Sequence, residues 1–104
     1  MDWKNPVNRR LVEAILSLGN EGEAERFLRD LLTENEIEEF ARRFQTAELL
    51  LENVPYSEIE RVSGLSSTTV ARVSKWLKGE GGGYRLVISK LHHHSSDLGG
   101  RGLR

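Results

Sequence analysis

Apolar residues recur along this chain at intervals of three and four, the spacing of one helix face. Val7, Leu11, Ile15 and Leu18 form the first such row, with Val12 and Leu16 beside it and Asn5-Pro6 ahead of it. Asparagine caps well, and proline at the first helical position gives up no needed hydrogen bond, so a helix is predicted from there to Gly19-Asn20. A second helix is predicted over about Glu21 to Leu32, striped by Ala24, Phe27, Leu28 and Leu31. Glu21, Glu23 and Glu25 lie near its start, where the helix dipole favours anions. Thr33 and Glu36 have the spacing of a capping box, in which the hydroxyl accepts from the Glu36 N–H and the carboxylate reaches back. The third helix then runs to about Glu52, with Ile37, Phe40, Ala41, Phe44, Ala47 and Leu51 on one stripe and Leu49 and Leu50 widening it. A helix apolar on several sides calls for more than one neighbour.

Asn53-Val54-Pro55 breaks the pattern, because proline disfavours helix in the residue before it. Ser57 and Glu60 repeat the capping-box spacing and predict a short helix to about Ser63, ended by Gly64 in a left-handed conformation. Ser66 is positioned to cap a helix over about Ser67 to Lys78, which Gly79 and Gly81-Gly82-Gly83 close. A last helix is predicted over Tyr84 to Leu91, anchored by Leu86, Val87 and Leu91. Residues 92–104 read as a disordered tail of His, Ser, Gly and Arg. No stretch alternates as a strand does, and no repeat is visible. The fold class is therefore all-α, with about six helices, and residues 1–91 form one domain. Several of these helices are short and amphipathic, more than one monomer can cover, which favours a dimer sharing its core.

Chemistry concentrates in residues 56–78. A helix-turn-helix needs apolar residues where its helices cross, a glycine at the turn, and small polar residues entering the groove. Ile59 and Val62 are expected to face inward from the first helix, Gly64 to make the turn and Leu65 to plug beneath it. Val70, Val73 and Leu77 are expected to form the inward stripe of the second. That leaves Ser66, Ser67, Thr68, Thr69, Ala71 and Arg72 near its N-terminal end as candidate DNA contacts. Short hydroxyl side chains permit close approach to bases, the Ala71 methyl can meet a thymine methyl, and free backbone N–H groups can meet a phosphate. Arg72, Lys75, Lys78 and Arg85 are candidate phosphate contacts. An ordinary capped helical hairpin is the bland alternative, and the spacing of Ile59, Gly64, Leu65, Val70 and Val73 favours the DNA reading over it.

Charge supports that reading through its distribution and not through its total. The net charge is −1, but residues 20–60 carry −8 and residues 61–104 carry +6. An acidic middle beside a basic C-terminal part suggests one face that meets an anion. With no cysteine, the 104-residue chain has no disulfide or thiolate metal site, as in many cytoplasmic proteins. No apolar run approaches a membrane span, and Met1 to Pro6 has no signal-like pattern. His92-His93-His94 point in different directions on a helix and have one nearby carboxylate, Asp97, so no metal is expected. The glycines of 79–83 follow a helix and lack the Gly-Lys-Ser/Thr of a phosphate loop; they read as a flexible joint. No nucleophile and base stand at a useful spacing, so neither an enzyme nor a cofactor is expected, and Trp3 and Trp76 read as packing residues.

From about Leu31 to Leu91 the chain resembles the tryptophan repressor, on Leu31-Leu32-Thr33, Glu36, Arg43, Glu48 and Leu50-Leu51. Its helix-turn-helix and Gly-Gly-Tyr84-Arg85-Leu86 are more similar to the Trp-repressor-related proteins of the YerC/YecD type. The resemblance implies an intertwined all-helical homodimer with two reading heads. It also implies a ligand pocket at Thr33, Arg43, Thr69, Arg72, Val73 and Trp76, where Arg43 and Arg72 match the two arginines that sandwich an indole. Val73 stands where the repressor has glycine and Trp76 where it has a serine near the ligand's amino group. Both add bulk, and a filled pocket takes no indole without repacking. L-tryptophan is therefore not the expected effector. Glu60 replaces a lysine, and Ser67-Thr68 an isoleucine and an alanine, so a different operator is expected. The resulting expectation is a cytoplasmic, homodimeric regulator of transcription, a repressor, whose partner is double-stranded DNA. The alternatives are a helical protein-interaction module and an amino-acid-gated repressor.

Overall fold

A computed structural model describes the backbone of residues 1–100 and the side chains through His93. Among the described residues there are six helices and no strand: α1 (Pro6–Leu16), α2 (Glu21–Leu31), α3 (Glu34–Leu51), α4 (Tyr56–Ser63), α5 (Ser67–Lys78) and α6 (Gly83–Gly100). They fall into two units, residues 1–37 and the residues from 38 onward.

Local hydrogen bonds account for most helix ends in the first unit. The Asn5 side chain accepts from the N–H groups of Val7 and Asn8, with Pro6 at the first helical position. Asn20, read as a stop signal, is also the cap of α2: its Oδ1 accepts from the Glu23 N–H at 3.0 Å, and the Glu23 carboxylate accepts from the Gly19 N–H at 2.8 Å. Thr33 and Glu36 form the expected box, at 3.1 Å and 2.9 Å. No residue of 1–37 is buried. Val7, Leu11 and Ile15 of α1 and Leu28 and Leu31 of α2 stay exposed, and a groove of about 570 Å³ runs between Val7, Leu11 and Ala14 on one side and Phe27 and Leu31 on the other.

The second unit holds the core. Ala47, Val73, Leu77 and Ile88 form one buried cluster, with Phe44, Leu50 and Tyr84 packed against it. Ile59 and Val70 are fully buried as well. At the end of α3 the Val54 N–H donates to the Leu49 carbonyl and the Asn53 N–H to the Leu50 carbonyl, while Asn53 is left-handed at φ 62°. This is a Schellman ending, and asparagine is one of the few non-glycine residues that tolerates it.

Four expectations are corrected here. Ser57 does not cap α4. Pro55 takes that position, with ψ 147°, and its carbonyl accepts from Glu58 and Ile59, so Ser57 is already inside the helix and no box forms. Val62 is 46% exposed and its neighbour Ser63 is buried instead. On α6 the buried anchor is Ile88, while Leu86, Val87 and Leu91 are exposed. That helix also continues beyond Leu91, being helical through Gly100. Of the tail expected to be disordered, 101–104 lie outside the described residues.

Gly64 ends α4 at φ 73°, its N–H donating to the Glu60 carbonyl at 2.9 Å, and a Cβ built on it would meet nothing within 4 Å. The need for glycine is therefore conformational and not steric. Gly64→Ala is expected to lower stability by about 1–2 kcal/mol in urea unfolding. Gly81→Ala, in open space and without positive φ, should change it by only a few tenths.

Candidate nucleic-acid interface

Helix α5 is amphipathic in a way that fixes which side chains remain available. Val70, Val73, Ser74 and Leu77 are buried, and the rest of the helix turns outward. Ser67, Thr68, Ala71, Arg72, Lys75, Trp76 and Lys78 are exposed and Thr69 is half-buried. At 100° per residue, Thr68, Arg72 and Lys75 lie opposite the buried stripe, with Ala71 and Lys78 on one flank and Thr69 and Trp76 on the other. The helix carries no acid, so its outer face is cationic without internal compensation.

The cap at the start of α5 commits two of the predicted contacts. Ser66 accepts from the Thr69 N–H at 3.2 Å, and the two hydroxyls are 3.1 Å apart. These side chains hold the first turn; Ser67 and Thr68 beside them have no such engagement. The preceding helix is fixed on α5 by a hydrogen bond from the Tyr56 hydroxyl to Ser74 Oγ at 2.7 Å, between two helices whose crossing is otherwise apolar at Ile59 and Val70. On the outer side of α4, Arg61 is paired with Glu58, which lowers the Glu58 pKa mainly through that hydrogen bond and raises that of Arg61. The pair lies at the surface, with the Arg61 side chain 71% exposed.

Arg85 is engaged as well. Its guanidinium donates to the Leu77 carbonyl and, at 3.1 Å, to the Gly79 carbonyl. It satisfies the C-terminal end of α5 from the start of α6, where a cation also complements the helix dipole. Sequence spacing gave no sign of this, because the contact depends on the 79–83 joint turning back, with Gly82 at φ 66°.

Several of the residues matched to a ligand pocket have partners of their own. Thr33 is engaged in its capping box. Arg43 is paired with Glu39 at 2.5 Å and lies 5.5 Å above the Phe40 ring. Its Nε is buried without a partner, as is the Thr46 hydroxyl one turn later. Val73 is buried against Ala47, Leu77 and Ile88. Trp76 departs from the packing role expected of it: it is 66% exposed.

Residues 8–92 match the Trp repressor protein family. The chain belongs to the Trp repressor family. Among its relatives, the uncharacterised protein YerC of Bacillus subtilis (strain 168) is 35% identical over 82 residues, 79% of each chain. The crystal structure of a TrpR-like protein from Eubacterium eligens ATCC 27750 superposes with a TM-score of 0.80 at 36% identity, covering 86% of this chain and 93% of that one. A proposed Trp repressor from Staphylococcus aureus gives 0.81 at 30% identity, over 88% and 95%. The six-helix all-α fold is thus that of Trp-repressor-like proteins. Among the described residues, no helix of this family member is long and apolar enough to cross a membrane.

If Arg85 serves the α5 terminus, Arg85→Met should destabilise the protein by about 1.5–3 kcal/mol, the range for a charged hydrogen-bond partner. The salt dependence of any duplex binding should stay as in the parent protein. A slope shallower by about one unit would make Arg85 a phosphate contact instead.

Proposed function

We propose that this Trp repressor family member is a sequence-specific DNA-binding regulator of transcription, a repressor, acting as a homodimer in the cytoplasm. The observation that carries the reading is the outer face of α5. A capped helix follows a left-handed glycine turn, is fixed on α4 at the Tyr56–Ser74 bond, and presents Thr68, Ala71, Arg72, Lys75 and Lys78 to solvent. Thr68, Ser67 and Ala71 are of a size to touch base edges. Arg72, Lys75 and Lys78 are suited to phosphates, which supply affinity without sequence information. Ser66 and Thr69 contribute by shaping the first turn, whose free N–H groups can meet a phosphate.

A dimer follows from what one chain leaves uncovered. The apolar rows of α1 and α2 have no buried member, and α6 exposes Leu86, Val87 and Leu91. A homodimer covering them would carry two α5 helices about 34 Å apart, one turn of DNA, and read a palindrome. Selection from random duplexes is the experiment: enrichment of a two-fold symmetric site is expected, and recovery of no preferred sequence would refute the proposal.

Lys75→Ala should weaken binding to all duplexes alike and make the salt slope shallower by about one unit. Changes at Ser67 or Thr68 should alter which sequence is preferred. Binding should need no added amino acid, because Val73 occupies core space and Arg43 is engaged by Glu39 and Phe40. Duplex affinity with and without millimolar L-tryptophan should differ by less than tenfold, about 1.4 kcal/mol of coupling. A larger rise would restore the corepressor reading.

A further inference from the structure

The unit from residue 38 onward also holds a cavity, beside the Tyr56–Ser74 bond. It measures about 290 Å³ and opens where the end of α3, the 52–55 turn and the C-terminal half of α5 meet. That size is near the lower end of the roughly 300–1,000 Å³ typical of small-molecule sites. Leu50, Val54 and Leu77 give it an apolar wall. The lining also holds Tyr56 and Ser74, whose hydroxyls are bonded to each other, and the exposed Lys78. Asn53 completes the lining, held left-handed by the Schellman ending of α3. No acid lines the cavity, so the lysine charge is uncompensated there.

We propose that this cavity is an effector site for a small aliphatic carboxylate, an amino or oxo acid of about four to seven carbons, the scale such a volume admits. The alkyl chain lies against Leu50, Val54 and Leu77, and the carboxylate meets Lys78 and the Ser74 hydroxyl. An apolar wall and a single cation with hydroxyl donors discriminate such a molecule both from a neutral hydrocarbon and from inorganic phosphate. The effector role, as distinct from the site, rests on the DNA-binding function proposed above. Two features connect them. Lys78 serves both the cavity and the outer face of α5, so a bound carboxylate removes one phosphate contact. The cavity also borders the Tyr56–Ser74 bond that fixes α4 on α5. Ligand and duplex therefore compete, and the ligand acts as an inducer.

The probe is 4-methyl-2-oxopentanoate, alongside its primary amide and inorganic phosphate, titrated into the full-length protein without DNA and followed by backbone amide NMR. Saturable shifts at Asn53, Val54, Tyr56, Ser74 and Lys78 are expected for the carboxylate, with the amide at least about tenfold weaker and phosphate without effect. Lys78→Gln should abolish the preference for carboxylate over amide, and Val54→Trp, which fills the cavity from a half-buried turn position, should abolish binding of both. The comparison of carboxylate with amide on the unmodified protein stands by itself, independent of any effect of either variant on folding. No saturable shift at these residues, or equal response to carboxylate and amide, overturns the site. In the second arm, the saturating carboxylate should weaken duplex binding by about fivefold or more, the lower range of allosteric coupling. Binding at the cavity with unchanged duplex affinity overturns the effector role. A protein that takes the carboxylate but binds no duplex supports the site and contradicts the DNA reading.

Discussion

Four residues of α5 are buried, Val70, Val73, Ser74 and Leu77, and the arrangement from residue 38 onward depends on them. Val73 and Leu77 join Ala47 of α3 and Ile88 of α6 in one cluster, Ser74 takes a hydrogen bond from Tyr56 of α4, and Val70 is fully buried. A helix that buries one stripe this completely has no freedom to rotate about its axis. Its opposite side, with Thr68, Arg72 and Lys75, is presented to solvent in one orientation. The same packing that supplies stability sets the geometry of the cationic face. Removing volume at Val73 or Leu77 would therefore disturb presentation as well as stability, since a cavity in a close-packed core is only partly relieved by relaxation.

Both ends of α5 are completed by polar groups, and each end does something the core cannot. At the start, Ser66 satisfies an orphan N–H and ties down Thr69, so the first turn is preformed. At the finish, the Arg85 guanidinium gathers the Leu77 and Gly79 carbonyls and so joins α6 to α5 across the glycine joint. The joint is freely jointed in sequence but anchored in structure. Residues 1–37 are different in kind. Their helix caps are complete, yet they bury nothing within themselves, and their apolar rows are assets only in company.

The sequence was most legible where the deciding interaction is local. The Thr33–Glu36 box, the left-handed Gly64 and the Ser66 cap each depend on three or four consecutive residues, and each is present. The buried stripe of α5 was legible too, since twelve residues give a helical period room to declare itself. Short helices gave less. In α4 a capping-box spacing at Ser57 was overridden by Pro55, whose fixed φ and extended ψ make it the N-terminal residue. There Ser63, four residues after the buried Ile59 and on its side of the helix, is buried and Val62 is not. On α6, Leu86, Val87, Ile88 and Leu91 cover most of the helix circumference, so periodicity could not name Ile88. The candidate DNA contacts follow from the α5 period. The role of Arg85, and the cavity bounded by Leu50, Tyr56 and Lys78, depend on segments distant in sequence and carry no local signature.

The outer face of α5 is the surface proposed to meet DNA. Backbone amide shifts on adding a duplex would test it directly. Perturbations should cluster at residues 66–72 and continue through Lys75 and Lys78, on one side of α5, with α1 and α2 unaffected apart from uniform broadening. Perturbations confined to the apolar rows of α1 and α2, or none at any salt concentration, would contradict it.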